Sequence, residues 1–180
     1  MRLTDCRYDR DRQRLAVAYR LISHEARTQT ILQCTGLSGD RVRKLFREYV
    51  KGQPLRPVRR RRGKSPRQMS FFRRSPTHEL QAAALGAMLK QCGLLGRPQA
   101  LYRPDLDDVS RLCDVYETFC SLCPATVITF EHAWYLLQVL ARVDEFVLAH
   151  CLDCRALWIR DTLDLLPDNC VSCRSGTPPG

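Results

Sequence analysis

Residues 151–173 read CLDCRALWIRDTLDLLPDNCVSC, two CxxC pairs (Cys151 with Cys154, Cys170 with Cys173) separated by fifteen residues. Each pair lets two thiolates from one tight turn reach the same ion, and the gap between pairs suits a tetrahedral four-cysteine zinc site. The intervening segment is long enough to fold out and return, with Trp158 and Ile159 able to cover the metal. Sulfur fills all four positions, leaving none for water, so the reading is one structural zinc ion per chain. A redox dithiol is the competing reading, but it would give the second matching pair no role.

The chain holds ten cysteines in 180 residues. Cys120 and Cys123 form another CxxC before Pro124, but no further pair stands near them at ligand spacing, so they read as thiols. Cys6, Cys34, Cys92 and Cys113 look isolated. The N-terminal stretch MRLTDCRYDRDRQR alternates charges where a secretory signal needs an apolar run, and WYLLQVLARV is too short to span a bilayer. The expectation is a soluble cytoplasmic protein without a membrane partner. In such a reducing compartment paired cysteines hold metal more often than they form disulfides.

Charge is concentrated. From Arg41 to Arg74 there are 14 Lys and Arg against one acid, Glu48, within a chain of net charge +10. Such a segment can bind polyanions by counterion release, the alternative being a solvated surface or disordered tether. Ahead of it, Leu15, Ala18, Tyr19, Ile22 and Ala26 form an apolar stripe on a first helix beginning near Asp9, and TQTILQC predicts a second helix stopped by Gly36. Ser38 can cap a third, GDRVRKLFREYV, with Val42, Leu45, Phe46 and Tyr49 on one side and Arg41, Arg43, Lys44 and Arg47 largely outside. Gly36, Leu37, Val42 and Leu45 fit the grammar of a DNA-binding helix-turn-helix, though any helical hairpin can show it.

Residues 54–76 follow as a Pro- and Arg-rich connector broken by Pro54, Pro57, Pro66 and Pro76. Its consecutive Arg59, Arg60, Arg61 and Arg62 can lie along phosphates or enter a minor groove, and Phe71 and Phe72 read as an anchor into the core. Helices then resume: THELQAAALGAMLKQCG from a Thr77 cap, with Leu80, Ala84, Met88 and Leu89 at helical spacing, then DLDDVSRLCDVYETFCSLC and TFEHAWYLLQVLARVDEFVLAH. The fold class expected is mainly α. It divides into a helix-turn-helix-like region 1–53, the connector 54–76, a helical core 77–150 and a four-cysteine module 151–180.

The helix pair ARTQTILQCTGLSGDRVRKLFREYVKGQPL, the connector ending GKSPRQMSFF, the helices around THELQAAAL and FEHAWYLLQVLARV, and the terminal CLDC and CVSC together resemble the bacterial flagellar transcriptional activator subunit family FlhC. The resemblance spans nearly the whole chain and places Trp134 at the aromatic position of a family helix. It implies zinc at Cys151, Cys154, Cys170 and Cys173, and a hetero-oligomer of four FlhD with two FlhC subunits. It also implies binding upstream of flagellar class II promoters and recruitment of RNA polymerase. The run Arg59 to Arg62 departs from the family pattern.

No nucleophile and base pair, phosphate loop or open metal site is present, so the sequence points away from an enzyme. The function expected is a DNA-binding activator subunit contacting promoter duplex through Arg41, Arg43, Lys44, Arg47 and Arg59 to Arg62. The alternative is a zinc-stabilised adaptor, or a nucleic-acid binder that neutralises phosphate without reading sequence.

Overall fold

Helix α1 (Leu3–Ser23) starts ahead of the Asp9 expected from sequence. The alternating charges there belong to a helical surface: Arg14 reaches Asp11 one turn back at 3.4 Å. The structure, a computed structural model, describes residues 3–52, 58–61, 63, 65–96, 105–142, 145–165, 169–174 and 176, with backbone alone at 3–6. Arg62, Pro54, Pro57 and the side chain of Cys6 lie outside the described residues. Of the expected stripe, Ala18 and Ile22 are buried, Leu15 and Tyr19 pack half-buried against the core, and Ala26 is buried just past the helix end.

Helix α2 (Thr28–Thr35) stops where Gly36 turns left-handed at φ 66°, its amide donating to the Leu32 carbonyl at 2.9 Å. Residues 36–38 turn the chain into α3 (Gly39–Gly52), where the Arg41 amide donates to Ser38 Oγ at 3.4 Å. Leu37, Val42 and Leu45 are buried at this junction. No side chain of α2 caps its own start. Instead the carboxylate of Glu131, from a helix far along the chain, accepts from the Arg27 amide at 2.7 Å and the Thr30 hydroxyl at 3.0 Å.

A short 3-10 turn (Met69–Phe71) closes the connector. Phe72 is buried and Phe71 lies flat on His132 with ring centres 3.7 Å apart, which is the anchoring role expected of the pair. Helix α4 (Pro76–Gln91) is capped by Ser75 rather than Thr77, with Pro76 at its first position. Its buried face is Ala82, Ala83, Leu85, Gly86 and Leu89, whereas Leu80 is 50% exposed. The stripe through Leu80 and Ala84 is therefore rotated outward, and the reason is contact distance. A Cβ on Gly86 would come within 3.2 Å of Leu140 and Leu148, so Gly86 lets this face approach its neighbours closely, with Leu85 and Leu89 buried beside it.

Helices α5 (Leu106–Leu122) and α6 (Phe130–Arg142) complete the helical core. The last helix expected from sequence, TFEHAWYLLQVLARVDEFVLAH, does not run on to His150. It ends at Arg142, and Phe146–His150 forms strand β1, antiparallel to β2 (Leu157–Asp161) with Leu148 opposite Ile159 and Ala149 opposite Trp158. A one-turn helix α7 (Val171–Arg174) follows. The fold is thus mainly helical, with seven α-helices among the described residues, one hairpin and a cysteine cluster near its C-terminal side. No helix among the described residues is long and apolar enough to cross a membrane.

Candidate metal centre and basic face

The hairpin is built with two unlike faces. Because side chains alternate along a strand, Leu148 and Ile159 point one way and pack on the helical core, while Ala149 and Trp158 join the cysteines on the other. Trp158 therefore covers the cysteine cluster as expected, and Ile159 does not. Cys151 leaves the end of β1, and the Cys151 amide donates to the Ala156 carbonyl at 2.9 Å, which holds the loop between the strands tight. Arg155 takes a left-handed φ of 63° there. Cys170 sits at the start of α7, so Cys173 follows one turn later.

These elements bring Cys151, Cys154, Cys170 and Cys173 together, with their sulfurs all within 4.8 Å of one another. The Cys154 and Cys170 sulfurs are 3.6 Å apart. A tetrahedral ion bonded to four sulfurs at ~2.3 Å requires sulfurs about 3.8 Å apart, so the cluster can hold a metal ion. Cys151 and Cys170 are buried, and the Cys170 amide donates to the Cys151 sulfur at 3.2 Å.

The electrostatics favour a cation. Burial raises the Cys151 thiol, but the amides of Cys154, Cys170 and Asp153 outweigh it and bring the group down to about 6. Cys154 and burial push Cys173 up to about 12. Cys154 is also raised, the pull of the Ala156 amide being outweighed chiefly by the neighbouring Cys170 and Cys151 thiols and by burial. One thiolate is thus supported by backbone amides, and further negative charge is resisted until a cation joins the cluster. The indole Nε1 of Trp158 is buried without a partner among the described residues, and charged sulfur is a better acceptor for it than a neutral thiol.

Distant residues that the spacing of cysteines does not reveal hold this centre on the core. Arg174 donates to Glu79 of α4 at 2.8 Å and lies 5.4 Å from the Trp158 ring centre. Arg73 pairs with Asp161 at 3.3 Å and Asp164 at 2.8 Å. Cys120 and Cys123 lie half-buried against the helical core, outside the cluster, and Cys34 and Cys113 are buried within that core.

The candidate DNA contacts among the described residues are exposed, but not all are free. Arg41 reaches Asp11 at 3.7 Å, Arg43 pairs with Asp40, and Arg61 pairs with Glu25 at 2.9 Å. Lys44 and Arg47 stand exposed on α3 without an acid partner among the described residues. The connector folds back onto the first three helices. The Arg59 amide donates to Glu25 at 3.1 Å, and Arg60 donates to Thr28 at 3.4 Å with its guanidinium 5.8 Å from the centre of the Phe46 ring on α3. Two basic groups separate in sequence are thereby neighbours in space. The counter-charges Asp11 and Glu25 gave no sequence signal, because their partners lie far along the chain.

No family model and no curated protein matches the chain.

Proposed function

We propose that this protein is a zinc-stabilised DNA-binding subunit of a transcriptional activator. The observation that carries the reading is α3: its apolar edge, Val42 and Leu45, is buried directly after a tight turn, and Lys44 and Arg47 stand on its open side without an acid partner among the described residues, with Arg60 of the connector packed against Phe46. A helix presented in this way suits the major groove, and an arginine arm beside it suits the adjoining backbone. Four soft thiolates in a closed tetrahedral set favour zinc among the common divalent ions. Zinc here organises the fold and does no chemistry.

The resemblance to FlhC extends the proposal. The chain joins an FlhD-like subunit, binds upstream of flagellar promoters and recruits RNA polymerase. Phosphate contacts position a protein without reading sequence. One helix offers few base contacts at about 1 to 3 kcal/mol each, so a partner is needed to lengthen the footprint.

The test is a footprint on promoter DNA with the chain alone, the FlhD-like partner alone and both together, against excess unrelated duplex. Protection resistant to competitor is expected only from the mixture. In the mixture, Lys44→Glu with Arg47→Glu should weaken binding and flatten the slope of log K against log salt by about one unit per lost contact. Unchanged affinity and slope remove α3 from the interface, and competitor-sensitive binding in every sample favours a nonspecific nucleic-acid binder instead.

A further inference from the structure

Between α2, residues 65–67 and α6 lies an open cavity of about 340 Å³, within the size range of small-molecule sites. Gln29 and Gln33 line it from α2, Gln138 and Arg142 from α6, and Arg67 from the connector, with Tyr135 as an aromatic wall. Neither Arg67 nor Arg142 has an acid partner among the described residues, in contrast to Arg41, Arg43, Arg61 and Arg73. The acid in the wall is Glu131, and the Arg27 amide and Thr30 hydroxyl already bond its oxygens.

We propose that this cavity binds a small phosphorylated molecule, its phosphate held by Arg67 and Arg142 and oriented by the three glutamine side chains. Two guanidinium forks and three primary amides offer more donors than a carboxylate has acceptor sites, and a phosphate dianion matches that supply. A second cavity shares Gln29, Ser65, Pro66 and Arg67 with the first and adds Arg74 and His132, so the positive lining continues around the connector. The neighbouring ionisable groups feel this field. Burial first, then Arg61 and Arg74, hold His132 down to about 4. Arg142 and Arg67 oppose the upward push that burial and Glu145 exert on Tyr135. This site does not rest on the DNA-binding reading, since none of the bases assigned to DNA lines the first cavity.

The experiment titrates the full, metal-loaded chain with inorganic phosphate, by calorimetry, against sodium chloride at matched ionic strength. A saturable heat with phosphate and none with chloride is expected. The Arg67→Gln, Arg142→Gln double variant should weaken binding at least tenfold. Gln138→Glu, which places a carboxylate in the cavity and leaves both arginines, should weaken it as well, and it carries the test where the double variant folds poorly. Lys44→Gln with Arg47→Gln should bind phosphate as the parent does. A heat reproduced by chloride, or phosphate affinity unchanged in both cavity variants, overturns the proposal. A short duplex distinguishes the source of the phosphate. If duplex expels inorganic phosphate and the cavity variants lose DNA affinity tenfold, the site belongs to a DNA backbone phosphate and the small-molecule assignment is overturned.

Discussion

Replacing Glu131 by alanine should loosen the attachment of α2 to the core. The carboxylate is 2% exposed and accepts two hydrogen bonds, from the Arg27 amide at 2.7 Å and from the Thr30 hydroxyl, itself 1% exposed, at 3.0 Å. Hydrogen bonds to a charged group contribute about 1.5 to 3 kcal/mol each, and a donor left buried without a partner carries its own penalty. Against this, alanine removes the cost of burying the charge. The net expectation is a loss of about 3 kcal/mol, which in a chain of this size lowers Tm by about 6 to 12 °C. Glu131→Gln should fall between, because its amide can accept at one oxygen only while its nitrogen meets a donor. Thr30→Val should cost about 1 to 2 kcal/mol by leaving one carboxylate oxygen unpaired. The double variant should cost less than the two singles added, because the valine no longer needs the lost acceptor. Denaturant unfolding of the parent and the four variants, all metal-loaded, measures this. A loss below about 1 kcal/mol for Glu131→Ala, or strict additivity in the cycle, would show that the carboxylate is not what seats α2.

Metal analysis of protein purified without chelator should give one zinc per chain, and a Cys151→Ala, Cys170→Ala variant should lose it, whereas Cys120→Ala with Cys123→Ala should keep it. Stripping the metal should raise amide exchange across β1 and β2 more than across α5, since the hairpin shares its cysteine-side face with the ion. Gly86→Ala should change stability little, because the ~1 kcal/mol helix preference of alanine is offset by crowding against Leu140 and Leu148 at 3.2 Å. Gly86→Val should destabilise by about 1 to 3 kcal/mol, read by denaturant unfolding. Burial, then Arg61 and Arg74, depress the His132 pKa to about 4, so its contribution is present above about 6.5, the unfolded value, and is lost as pH falls toward 4. The stability gap between parent and His132→Gln should therefore narrow from pH 7 to pH 4.5, with a constant gap counting against the assignment.

Features with local causes were legible before any coordinates. Gly36 ends α2 because a left-handed residue is cheapest as glycine, and the two CxxC pairs converge because each turn already aims two sulfurs together. The face of α4 was misread because apolar residues lie on more than one side of it. Its orientation is decided by how closely Leu140 and Leu148 approach Gly86, a property of other elements. Residues 146–150 read as helix since five apolar-rich residues fit either period. Only pairing with residues 157–161 makes them a strand. The basic residues were correctly placed outside, but which remain unpaired depends on Asp11 and Glu25, whose proximity is tertiary.

The two-faced hairpin has a consequence for biosynthesis. Chains fold from the N-terminal side as they emerge, at ~5 to 20 residues per second. Helix α4 thus leaves the ribosome well before Leu148 and Ile159 arrive to cover it, and the strands that carry those two residues also frame the cysteine cluster, whose last members, Cys170 and Cys173, emerge later still. On the zinc reading proposed above, cellular metal supply sets the pace of that last step, and a nascent chain short of metal presents more of the α4 surface to chaperones and proteases.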